Sequence, residues 1–128
     1  MKTRPIVMAL LLATSAIPAL AQYKEMNKVE TLAKTNNEQQ MLTGLSKHLG
    51  VSTDTLKQEM ASNNLNFGQL YLAHAIARAA NADVKSILSD SKTKLWTTII
   101  EERKVDKKQI AADADDLEKA IKNPGSTK

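Results

Sequence analysis

An apolar residue, then a Ser, Asp or Asn, then a second apolar residue four positions past the polar one: this unit recurs four times along the chain. It stands at Val51-Ser52 with Leu56, Leu65-Asn66 with Leu70, Ala82-Asp83 with Ile87, and Val105-Asp106 with Ile110. Each copy has the form of a hydrophobic staple. The polar side chain accepts from an orphan N–H of the first helical turn, and the flanking apolar pair sets the angle at which the chain enters the helix. Three copies also carry an apolar residue six positions before the unit, at Leu45, Ile76 and Ile99. Each therefore reads as the end of one helix, a tight corner and the start of the next. No alternating β-branched run and no Asn-Gly or Asp-Gly turn competes with that reading, so the fold class is all-α.

The predicted helices cover 38–49, 53–62, 67–80, 84–90, 93–103 and 107–121, giving a compact bundle of five or six short helices with capped corners. Asn37 can cap the first with Gln40 as its capping-box partner, and Gly50 suits the left-handed residue that ends it. Residues 22–36 carry a short stripe of Met26, Val29, Leu32 and Ala33, interrupted by Thr35-Asn36-Asn37, and read as a flexible or marginally helical arm. The helical domain is then 37–122, with a frayed tail at 123–128. Stretch 67–80 is apolar almost all round and is expected at the centre, with a narrow wet stripe at His74, Arg78 and Asn81. Segments 93–103 and 107–121 read as one-sided surface helices. Leu95, Trp96, Ile99 and Ile100 mark the buried side of the first, and Ile110, Ala114, Leu117 and Ile121 that of the second.

The amino terminus has the three parts of a secretory signal. Lys2 and Arg4 form the positive region, Ile6 to Ile17 the apolar run, and Ala19-Leu20-Ala21 the cleavage site. Residues 1–21 are therefore expected to be removed by the general secretory route, leaving a periplasmic or extracellular protein that starts near Gln22. The apolar run is too short to serve as a membrane span, and none is expected after processing. Removing Lys2 and Arg4 from the 18 basic side chains leaves 16 against 14 acidic ones, so the formal charge of +4 falls to +2. That near balance gives no reason to expect a nucleic-acid partner. The chain has no cysteine. Stability must come from packing, and thiolate catalysis, Cys-zinc sites and iron–sulfur clusters are excluded.

Residues able to carry chemistry are few. His48 and His74 are the two histidines, and neither stands in a metal-binding spacing; one at a helix end and one facing solvent is the simplest placement. Asp113, Asp115, Asp116 and Glu118 lack the pattern of a calcium loop and read as a solvated face balanced by neighbouring lysines. No nucleophile elbow and no glycine-rich phosphate loop is present, and no cofactor is expected. His74 and Arg78, one turn apart, with Lys85 past the next corner, form a candidate contact for an anion or a partner. The expected role is that of a small exported, non-enzymatic interaction or envelope-associated protein with a protein or envelope component as partner. Two other classes remain open: a periplasmic chaperone that holds unfolded clients, and a small metal-dependent hydrolase using a His–carboxylate site.

Overall fold

The computed structural model describes residues 23–123, and among these it contains helices and no strand. The helices are α1 (Lys24–Thr35), α2 (Glu38–Leu49), α3 (Thr53–Asn63), α4 (Phe67–Ala80), α5 (Val84–Ser91), α6 (Trp96–Glu102) and α7 (Lys107–Lys122). The expected signal peptide and residues 124–128 of the expected tail lie outside the described residues.

All four staples form. Ser52, Asn66, Asp83 and Asp106 are N-caps whose side chains accept from Thr55, Gln69, Lys85 and Lys108 backbone N–H groups. Their partners four positions on, Leu56, Leu70, Ile87 and Ile110, are buried. The helix that precedes each corner ends in a matching way. A left-handed residue, Gly50, Asn64, Asn81 or Lys104, stands directly before the apolar member of the staple. That apolar residue then donates its N–H five positions back, Val51 to Ser46, Leu65 to Met60, Ala82 to Ala77 and Val105 to Ile100, at 2.8–3.3 Å. This is the long bond of a Schellman ending, so one apolar residue closes the outgoing helix and staples the incoming one. The corner leaves little freedom in the chain between helices, and the bundle needs no long loop.

One helix more than expected is present, because the stretch read as an arm is α1. Its periodic stripe was visible, but two partners distant in sequence complete it. Met26, Val29 and Leu32 are buried, and Gly68 of α4 allows a close approach: a Cβ there would stand 2.6 Å from the Met26 carbonyl oxygen. The Gly68 N–H donates to Glu30 Oε2 at 2.7 Å, so α1 supplies a carboxylate to the exposed N–H groups at the start of α4. Lys28 pairs with Asp115 and Glu118, tying the outer face of α1 to α7.

Helix α4 is central for the reason its composition indicated. Leu72, Ala73, Ile76 and Ala77 pack with Ile87, Trp96, Ile99 and Ile100 on one side. Leu70, Tyr71 and Ala75 pack with Met41, Leu45, Leu56 and Leu117 on the other. A helix between two apolar layers must be apolar all round. At α6 the expected start is corrected: Lys92 and Thr93 form a turn, Lys94 a bend, and Leu95 is the N-cap, 42% exposed and outside the core.

A candidate binding notch between α4 and α7

Tyr71, Ala75 and Arg78 follow one another at spacings of four and three, which places them on one stripe of α4. On the facing stretch of α7, Gln109 and Ile110 stand four and three positions before Asp113 and so share its side of the helix. Between a tyrosine and an arginine the alanine leaves a gap, and a notch of about 180 Å³ opens there, lined by Ala75, Arg78, Ala79, Gln109, Ile110 and Asp113. Its floor is apolar, formed by the two alanines and the buried Ile110. Its walls are a guanidinium, an amide and a carboxylate.

The carboxylate is held from behind. The Tyr71 hydroxyl, wholly buried, donates to Asp113 Oδ2 at 2.6 Å. His48, in the last turn of α2, places Nε2 3.1 Å from Asp113 Oδ1 but off the line of a hydrogen bond. Arg78 Nη1 lies 3.9 Å from the same Oδ1 and donates to the His48 carbonyl at 3.2 Å, closing the end of α2 from another helix. Burial alone would raise the Asp113 pKa, but His48, the Tyr71 hydroxyl and Arg78 together outweigh it and hold the carboxyl below its usual value. Tyr71 moves the other way. Burial first, then its bond to Asp113 and the charges of Asp113 and Glu25, push the phenol far above its ordinary range. The result is a fixed neutral donor on a fixed anion, with Arg78 as an always-charged cation beside them.

The residues singled out from sequence do not act together. His74 is 6% exposed, not solvent-facing, because α3 covers it. Its Nε2 lies 2.7 Å from Glu59 Oε1, and since a carboxylate only accepts, Nε2 carries the proton. The expected wet stripe is corrected on this point. Arg78, with a side chain 51% exposed, does face the surface, at the rim of the notch. Lys85 is exposed on α5 and lines no part of the notch.

Three residues that matter here were read otherwise or passed over. Asp113 was placed on a solvated face, yet it directly precedes the buried Ala114 and so lies at the edge of the apolar stripe of α7, where a neighbouring helix can reach it. Neither Tyr71 nor Gln109 is singled out by the sequence. The spacing of Tyr71, Ala75 and Arg78 was the available signal. Each histidine has its own carboxylate, and among the described residues no three His, Cys, Asp or Glu side chains converge as metal ligands. Nor, among the described residues, is any helix long and apolar enough to cross a membrane. Compared with known proteins, the chain matches no family model, no curated protein and no solved structure.

Proposed function

We propose that this chain is a small exported, non-catalytic binding protein that associates with an envelope component through the notch between α4 and α7. The observation that carries the reading is the notch itself, in which a half-exposed arginine and an ionised aspartate stand side by side over an apolar floor. Such a pair on a rigid two-helix frame suits recognition, because the groups are held in place before a partner arrives. Its volume is well under the roughly 300–1,000 Å³ of a pocket that encloses a drug-sized molecule, so it fits one small group.

A chaperone for unfolded clients would need a broad apolar surface. Leu95 is the exposed large hydrophobic among the described residues, and one leucine is ordinary surface. The notch is the better-supported contact point.

Co-sedimentation of the purified protein with a cell-envelope fraction tests the proposal. The wild type and Lys85→Ala should be retained alike, while Arg78→Ala should lose most retention without loss of helix content. Equal retention of all three, or no retention of the wild type, would overturn it.

A further inference from the structure

Resting on that reading of the notch, we propose that the group it takes is the α-ammonium carboxylate of an amino acid with a small aliphatic side chain.

The placement of the two charges leads to this assignment. Arg78 Nη1 and Asp113 Oδ1 are 3.9 Å apart, near enough to act on one ligand and beyond hydrogen-bond reach of each other. Neither saturates the other. Arg78 gives one N–H to the His48 carbonyl and keeps donors free on a half-exposed fork, which suits a carboxylate. Asp113 has Oδ2 occupied by the Tyr71 hydroxyl, and Oδ1 has His48 Nε2 at 3.1 Å, off the line of a hydrogen bond, so Oδ1 keeps acceptor capacity on a side chain a quarter exposed at the notch.

A simple anion would meet Asp113 next to the arginine, and a simple cation would meet Arg78 next to the aspartate. Each would gain one contact and suffer one repulsion. A ligand that bears an ammonium and a carboxylate on the same carbon meets both groups favourably, because its two charges are as close together as their partners are. The substituent on that carbon then lies against Ala79, with Ala75 and Ile110 buried beneath, and the notch of about 180 Å³ leaves room for a short aliphatic chain only. Gln109 at the rim can donate to a carboxylate oxygen or accept from the ammonium.

Calorimetric titration of the purified protein with L-valine, alongside isovalerate, which lacks the ammonium, and isobutylamine, which lacks the carboxylate, tests the assignment. Amide NMR shifts locate the contact. Valine should give saturable shifts confined to residues 75–79 and 109–113, and each one-charge analogue should bind at least about tenfold more weakly, since each forfeits a charge-assisted hydrogen bond. These comparisons change the ligand and leave the protein intact, so they do not depend on a variant that folds. Isovalerate equal to valine would overturn the assignment in favour of a plain anion site, and an absence of valine shifts in these segments would overturn it outright. If valine fails while envelope retention still depends on Arg78, the ligand assignment falls and the notch reading stands; if both fail, both fall. With binding shown, release of envelope-bound protein by excess valine supports a displayed amino-acid group as the source, and undiminished retention supports a free amino acid.

Discussion

Replacing Tyr71 by Phe keeps the ring that fills the core and removes the hydroxyl that donates to Asp113 at 2.6 Å. A hydrogen bond to a charged group contributes roughly 1.5–3 kcal/mol. Because His48 and Arg78 remain near the carboxylate, the loss should fall toward the middle of that range, about 2 kcal/mol at pH 7. The effect should depend on pH in a defined way. The folded pKa of Tyr71 is raised above an ordinary value of 10.0, so its contribution is complete below pH 10 and is lost above it. The loss runs at about 1.4 kcal/mol per pH unit for one proton. An advantage of about 2 kcal/mol should therefore vanish roughly one and a half pH units above 10. The Asp113 pKa is lowered from 3.8, so at the acid end the contribution is present above that value and lost as pH falls through the folded pKa. Urea titrations of wild type and Tyr71→Phe at half-unit steps from pH 3 to 11.5 measure the difference directly. A plateau between about pH 4 and 10 that collapses on both sides is expected. A difference that stays constant across the whole range would refute the Tyr71–Asp113 bond as its source.

The remaining expectations concern the corners and the core. Ser52→Ala, Asp83→Ala and Asp106→Ala should each lower stability by roughly 0.5–2 kcal/mol in denaturant titrations, since each removes a formed cap. Lys104→Gly should raise stability by about 0.5–1 kcal/mol, because a left-handed lysine at φ 58° is strained and glycine is not. Gly68→Ala should destabilise by about 1–3 kcal/mol, since the methyl group would meet the Met26 carbonyl; a neutral result would show that α1 is not held closely against α4. His74→Ala should cost about 1–3 kcal/mol by leaving the partly buried Glu59 unpaired, where a solvent-facing histidine would have cost almost nothing.

What was legible in the sequence was whatever is encoded within a few residues. Caps and staples act over four positions, so Ser52, Asn66, Asp83 and Asp106 could be read one by one, and the helix starts they govern are where they were expected, as are the capping box at Asn37 and the left-handed Gly50. At α6 no cap side chain exists, and there the expected start was wrong by three residues. Helix α1 depends on Glu30 reaching Gly68 across 38 positions, and His74 on Glu59 across a corner, and neither pairing leaves a local trace. Asp113 shows the limit most clearly. Its spacing put it at the border of the buried stripe of α7, and only the approach of α2 and α4 decides that it joins Tyr71 and His48 rather than solvent.

The proposed meeting point of this protein and its partner is the notch between α4 and α7. Amide shift mapping of the isotope-labelled protein against a solubilised envelope fraction tests it most directly, with Arg78→Ala as the comparison. Shifts at residues 75–79 and 109–113 of the wild type should disappear in the variant, with α5 and α6 unmoved in both. Shifts centred on Lys85 or on Leu95, or an Arg78→Ala map identical to the wild type, would contradict it.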